Sequence, residues 1–351
     1  MSEQTGKFTS STLKRTVLKQ LGASRDEVLI NAAYGTDTAV IKINDKIGMA
    51  VSSDPISLIP NLGMRESALL SVQLTANDLA TTGFSPKYAQ FVLNLPVELS
   101  DEEFTEFWGH IHQFCKELGV AITGGHTGKI PGQQSTVPGS ATMFLTAPLD
   151  EILTSQGVEP GDHLVMTKSA AISSTSILAK SFPKTIKKEI GEDLYQKAVS
   201  NFEKIPVTKD ALIASKTLKN KMELSAMHDV TEGGILGAAM EMAMASNCGV
   251  EIDSQNILIG EEQRKIASYF NLDYRKIIGS GSMLMAVKPN CTPKLIKALN
   301  DEGIPAATIG KFNKEKEMFF LIEDGIKKKL EHNEQDPYWA AFFDALQKGL
   351  K

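Results

Sequence analysis

Cysteine is scarce in this 351-residue sequence, and the little there is does not pair. Cys115, Cys248 and Cys291 are odd in number and far apart, with no CxxC spacing. That excludes a disulfide or zinc framework and fits a reducing, cytoplasmic setting. Each lies beside apolar residues and reads as a small buried thiol. Basic runs are short, Lys187-Lys188 and Lys327 to Lys329, and the net charge is -5, so nucleic acid is not an expected partner. No stretch approaches the roughly 18 uninterrupted apolar residues of a membrane span. The polar N-terminus lacks the apolar core of a signal peptide, so neither membrane insertion nor export is expected. The GxxxxGK[ST], Rossmann and GxSxG patterns are all missing, which removes the commonest nucleotide and nucleophile signatures. There is no low-complexity stretch and no short-period repeat.

What is present is an ordinary globular composition, 42% hydrophobic and 23% charged, in a chain long enough for two domains. A helix is predicted from Ser10 to about Leu21, stopped by Gly22. Thr38 to Ile43 and Lys46 to Ser52 form a hairpin around Asn44-Asp45. With those two as the loop, Asp37 faces Ser52, and Asp54 lies one diagonal step beyond, about 7–8 Å away. A three-residue loop undoes that geometry. A helix from Glu66 to Thr82 carries Leu70, Leu74 and Asn77 on one stripe, yet ends in Asn77-Asp78, which are poor helix formers and costly to bury. Tyr88 to Leu95 is a strand. Ser100 caps a helix whose Phe104, Phe107, Trp108, Ile111, Cys115 and Leu118 share a face, with Gly119 as its stop. "VAIT" is a strand leading into a glycine loop, and Ser140 to Thr146 is another strand. A domain boundary falls near Pro160-Gly161. Beyond it come the strand "HLVMTKS", a small-residue helix, and a polar helical stretch from Lys180 to Lys219. The strands "GVEIDSQNI", "SMLMAV" and "AATIGKF" follow, then an amphipathic helix from Trp339 to Leu350. The alternation implies an α/β or α+β layer, divided into residues 1–155, 156–325 and a helical tail, 326–351.

Four constellations could carry chemistry. Asp37, Asp54, Asn77 and Asp78 offer the oxygen ligands that Mg²⁺ takes, or are turn and cap residues. In "TGGHTG", Thr123 to Gly128, glycines let backbone N–H groups approach an anion, with His126 as phosphate donor or proton carrier; the alternative is a tight loop. In "MHDVTEGGILGAAMEMA", Asp229 or Thr231 caps a helix whose first turn, with Gly233-Gly234, is an anion site or an ordinary cap. There Met240 and Met244 read as packing and His228 as a local hydrogen-bonder. Lys168 ends a strand ahead of a Ser/Thr-rich helix and either contacts phosphate or packs.

Taken in order, "YGTDTAVI", "SSDPI", "NDLATTGFSPKY", "AITGGHTGKIPG", "PGDHLVMTKS" and "MHDVTEGGILGAAMEMA" resemble the aminoimidazole-ribonucleotide (AIR) synthetase superfamily, most closely its HypE-like hydrogenase-maturation members. Selenophosphate synthetase and thiamine-monophosphate kinase belong to the same superfamily. The resemblance spans roughly residues 6 to 320. It implies an N-terminal sheet-plus-helix domain that pairs with a second copy into a β-barrel homodimer, and a C-terminal α/β domain packed against it. It implies ATP and Mg²⁺ in the cleft and γ-phosphoryl transfer to an oxygen of a small-molecule or protein acceptor. The alternatives are a non-catalytic nucleotide-binding partner and a thiamine-monophosphate-kinase-like enzyme. Carried over by position, Asp37, Asp54 and Asp78 hold the metal, and Asp54, Asp78 and His126 are catalytic. Asp37, Asn77, Gly124, Gly125, Thr127, Lys168, Asp229, Thr231, Gly233 and Gly234 bind the cofactor, with Gly233 and Gly234 facing the acceptor or its phosphate. Three features depart from the pattern. The chain ends "LQKGLK" rather than Pro-Arg-Ile-Cys, His126 stands where many members carry an acid, and "YGTD" has one acid where relatives often have two. The reactive N-terminal cysteine or selenocysteine of selenophosphate synthetase is also missing.

Overall fold

A computed structural model describes residues 8–331 and 335–351. Its first half is a six-stranded sheet with helices on one face. The elements are α1 (Ser10–Arg15), β1 (Val28–Ile30), β2 (Ala39–Lys42), β3 (Ile47–Pro55), α2 (Met64–Ala80), β4 (Tyr88–Pro96), α3 (Asp101–Leu118), β5 (Ala121–Ile130) and β6 (Gly139–Pro148). The sheet order is β1-β2-β3-β6-β4-β5. Period-two alternation on β4 sends Ala89, Phe91, Leu93 and Leu95 into the core beneath α2 and α3, while Tyr88 and Val92 point outward, 39% and 37% exposed. The α3 helix has the termini its sequence announces: a reciprocal Ser100–Glu103 capping box and a left-handed Gly119.

The second half is built on a seven-stranded sheet. It comprises β7 (His163–Thr167), α4 (Ile172–Ser181), α5 (Pro183–Ile190), α6 (Glu192–Ser200), α7 (Thr208–Thr217), β8 (Leu224–Asp229), α8 (Gly234–Ala245), β9 (Gly249–Asp253), α9 (Glu261–Tyr269), β10 (Met283–Val287), α10 (Thr292–Asp301), β11 (Ala306–Asn313), β12 (Phe319–Glu323), β13 (Ile326–Lys329) and α11 (Pro337–Gln347). The order is β13-β12-β9-β11-β7-β10-β8. All pairs are antiparallel except β9 with β12. Every residue of β10 is buried because helices cover both faces. Leu236, Ala239 and Met240 of α8 pack on one side, and Leu295 and Leu299 of α10 with Ala211 and Ala214 of α7 on the other.

Four expectations are corrected. The hairpin register pairs Ala39 with Val51 and Lys42 with Gly48, one step from the two-residue-loop register. The cause is Asn44, whose side-chain oxygen accepts from the Lys46 and Ile47 N–H groups and lengthens the loop. The polar stretch from Lys180 to Lys219 is not continuous: it holds the end of α4 and then α5, α6 and α7, with breaks before Pro183, at Gly191 (φ +83°) and around Pro206. The first helix gives way after Arg15 to a 3₁₀ turn, Val17–Lys19, and buries nothing. The "GGHTG" segment is not a loop; it lies inside β5, paired in parallel with β4.

The halves are tied through the segment preceding α7. The Asn77 side chain is fully buried. Its Nδ2 donates to the Ile205 carbonyl at 3.0 Å, and its Oδ1 accepts from the Val207 N–H at 2.9 Å. Lys168 holds the same segment from the other side, donating to the Pro206 carbonyl at 2.6 Å and the Lys204 carbonyl at 3.2 Å, and pairing with Asp210 at 3.0 Å. Arg65 of α2 adds a two-pronged pair with Glu203, and Glu66 binds Lys180.

Candidate active site

The acidic residues come together from four elements of both halves. Asp54 lies on the core-side face of β3 with Ser52, two residues earlier. Asp78 sits in the last turn of α2, where the Ser52 hydroxyl donates to its Oδ2 at 2.6 Å. Asp229 ends β8 and is 2% exposed. Asp37 precedes β2 in a loop that rests on α8: Gly35, at φ +73°, brings its backbone so close that a Cβ there would lie 2.9 Å from the Glu241 carbonyl oxygen.

Electrostatics show how tightly these groups are gathered. The Asp78 carboxyl is held well above the usual carboxylate range, first by burial, then by the negative charges of Asp229, Asp54 and Asp37; only the Ser52 hydroxyl opposes the shift. His228 lies beside the cluster. Its Nδ1 is 2.5 Å from Asp37 Oδ2 and its Nε2 is 3.0 Å from Glu241 Oε2. Burial works against a charge on this ring, but the two carboxylates outweigh it and raise its pKa well above the ordinary histidine value. One donor atom each from Asp37, His228 and Asp229 lies within 4.8 Å of the other two, a spacing that can enclose a metal ion.

The remaining sequence candidates fall elsewhere. Asn77, adjacent to Asp78, spends both ends of its amide on the Ile205–Val207 backbone rather than facing the acids. Lys168, at φ +56°, directs its ammonium to Asp210 and two carbonyls, and burial lowers its pKa. Gly124, Gly125, His126 and Thr127 are exposed on β5, at the edge of the first sheet. Asp54, Ala141, Phe91 and Gly125 form one row across the sheet. Three strand spacings therefore separate Gly125 from Asp54, about 14 Å. Gly125 must be glycine: a Cβ would lie 1.8 Å from the Phe91 carbonyl oxygen.

The N-cap position of α8 is taken by the left-handed Gly233 rather than by Asp229 or Thr231, and the helix starts at Gly234. Asp336 occupies that terminus instead, accepting from the Gly233 N–H and the Tyr338 N–H, both at 2.9 Å, while Trp339 Nε1 donates to Glu232 at 3.1 Å. Burial pushes the Asp336 carboxyl up to about 6. Gly234, at φ +63°, is pressed against the Arg275 and Ile277 carbonyls. Two residues were not singled out as functional from sequence: His228, read as a local hydrogen-bonder, and Glu241. The signal for Glu241 was present, since it is the one charged residue in the otherwise apolar α8.

Comparison with known proteins agrees with this architecture. Residues 35–145 match "AIR synthase related protein, N-terminal domain", and residues 159–323 match "AIR synthase related protein, C-terminal domain". The chain is 29% identical over 294 residues to a selenide, water dikinase of Methanococcus maripaludis, covering 79% of this chain and 83% of that protein. It is 24% identical over 335 residues to the carbamoyl dehydratase HypE of Escherichia coli, covering 91% and 86%. The solved structure "AaThiL complexed with AMPPCP and TMP" superposes with a TM-score of 0.68 at 16% identity, over 94% of this chain and 99% of that one, and shares its fold.

Proposed function

The chain belongs to the AIR synthase related family, and from that premise we propose that it is an ATP- and Mg²⁺-dependent enzyme that activates an oxygen of an acceptor by phosphoryl transfer. The observation that carries this reading is the convergence of Asp37, Asp54, Asp78 and Asp229, with Asp78 driven toward its protonated form first by burial and then by the negative charges of the other three. Gathering such charges away from water is unfavourable unless a cation neutralises them. The donor set fits the group: all four are carboxylates, which hard divalent ions prefer. Bound there, Mg²⁺ would neutralise the triphosphate and the charge that develops on the transferred phosphoryl group.

The chain's own residues supply the rest. Ser52 fixes the rotamer of Asp78, and His228 with Glu241 fixes Asp37. Such fixed groups suit phosphoryl transfer, where positioning and charge do most of the work. Two names among the similar proteins, a dikinase and a structure holding AMPPCP, support the choice of nucleotide. Domain limits of 1–155, 156–325 and 326–351 and a cytoplasmic location are part of this reading. Among the described residues no helix is long and apolar enough to cross a membrane.

A homodimer belongs to the reading as well. Among the described residues the outer side of β5 is an open edge of ten residues; Ile130 at its end and Tyr88 and Val92 on the neighbouring β4 are exposed. A second copy would cover that edge. It would also give Gly124, Gly125, His126 and Thr127 a place in a shared cleft, which they lack within one chain.

The test is Asp78→Asn. Calorimetry with ATP and Mg²⁺ should show binding abolished while the melting temperature of the ion-free protein holds or rises, because a repelled charge has gone. Unchanged Mg²⁺-dependent binding would reject the site.

A further inference from the structure

We propose that the corner of the acid cluster formed by Asp37, His228 and Asp229 is a divalent-metal position with a nitrogen ligand, His228 Nδ1, suited to Mn²⁺ or Co²⁺ over Mg²⁺. It rests on the reading that the acid cluster holds a divalent cation, and it adds a ligand and a metal preference to that reading.

The first argument is orientation. A metal-bound histidine almost always gives its second ring N–H to a carboxylate, which fixes the tautomer and makes the free nitrogen more basic. Glu241 does this here, with its Oε2 3.0 Å from Nε2. The other nitrogen, Nδ1, faces Asp37, and Asp229 brings a carboxylate to within 4.8 Å of the pair. Glu241 is the lone charge on an apolar helix and is itself nearly buried, so the arrangement is built rather than incidental.

The second argument is distance. Two ligands cis on an ion at about 2.1 Å are about 3.0 Å apart, and two ligands trans are about 4.2 Å apart. The three donor atoms lie within 4.8 Å of one another. The Asp37–His228 contact, at 2.5 Å, needs to open by only about half an ångström to become a cis pair. The ion then replaces the proton shared along that contact, and the proton leaves to solvent.

The third argument is donor chemistry. Carboxylate sets favour Mg²⁺, Ca²⁺ and Mn²⁺, whereas an imidazole nitrogen adds affinity along the first-row series from Mn²⁺ toward Co²⁺ and beyond. Mg²⁺ gains least from the exchange, since it prefers oxygen and gives up water reluctantly.

The experiment uses the full chain without nucleotide and the metal ions alone. Calorimetry should find Mn²⁺ binding at least ten-fold tighter than Mg²⁺, and spin-echo spectroscopy of bound Mn²⁺ should detect a directly bonded ¹⁴N. His228→Gln should abolish the ¹⁴N signal and bring Mn²⁺ affinity down to within about three-fold of that for Mg²⁺. Glu241→Gln should keep the signal but weaken Mn²⁺ about ten-fold, the usual cost of losing an outer partner. If His228→Gln fails to fold, the wild-type spectrum still decides. Bound Mn²⁺ with oxygen ligands only overturns this inference and leaves the proposed phosphoryl-transfer function standing. Failure of every divalent ion to bind the nucleotide-free chain overturns this inference, and only a further failure of Mg²⁺-dependent ATP binding would overturn the proposed function as well.

Discussion

Replacing Asn77 with alanine separates a structural from a ligand-binding role at the residue next to Asp78. Asn77 is completely buried, and its amide satisfies one carbonyl and one N–H of the Ile205–Val207 segment. Alanine leaves both backbone groups without a partner in a site that water does not reach. Each costs about 1–3 kcal/mol, and the vacated volume adds to this. A total near 3 kcal/mol is therefore expected. For 351 residues, an unfolding entropy of about 2.1 cal/mol/K per residue converts 3 kcal/mol into a fall of about 4 °C in melting temperature if the chain melts as one unit. Urea unfolding measures the loss, and calorimetry measures Mg²⁺-dependent ATP binding below the transition. The expected result is a clear loss of stability with nucleotide affinity within about three-fold of wild type. A variant with wild-type stability but nucleotide binding weakened ten-fold or more would refute the reasoning, because Asn77 would then be a ligand.

Two further substitutions probe the buried charges. Lys168→Met should cost about 3–5 kcal/mol, since it strands Asp210, which is 1% exposed, without its ammonium; the double variant Lys168→Met/Asp210→Leu should recover most of that in urea unfolding, and a cost below 1 kcal/mol for the single change would sink the account. Asp336 carries a carboxyl raised from 3.8 to about 6, so the folded chain holds its proton more tightly than the unfolded chain. Its contribution to stability is full below pH 4 and is lost as pH rises through 6, by an amount on the order of 2–3 kcal/mol. Asp336→Asn should remove that part of the pH dependence, seen as a smaller difference in urea midpoint between pH 4.5 and pH 7 than in wild type.

Elements whose determinants are local were legible in the sequence. The α3 helix shows its cap, its apolar stripe and its stop within twenty residues, and the structure keeps all three. The gathering of Asp37, Asp54 and Asp78 was legible because aspartates at the ends of strands and helices are poorly suited to a core. What stayed hidden depends on partners far away in the chain. The polarity of Asn77 is explained by a backbone segment 128 residues later. Glycine pairs usually punctuate loops, yet Gly125 is a strand residue, required by the closeness of β4. His228 takes its importance from Asp37, 191 residues earlier, and from Glu241, on the next helix. The two-residue hairpin failed because one side chain, Asn44, rewrote the turn.

The open rim of the first sheet has a consequence for handling the protein. A ten-residue strand rich in glycine at the edge of a sheet is a template on which an extended segment can be laid down. Material partly unfolded by heat should coalesce along that line first. A charged residue placed there to keep preparations clear would also obstruct whatever legitimate neighbour the rim receives.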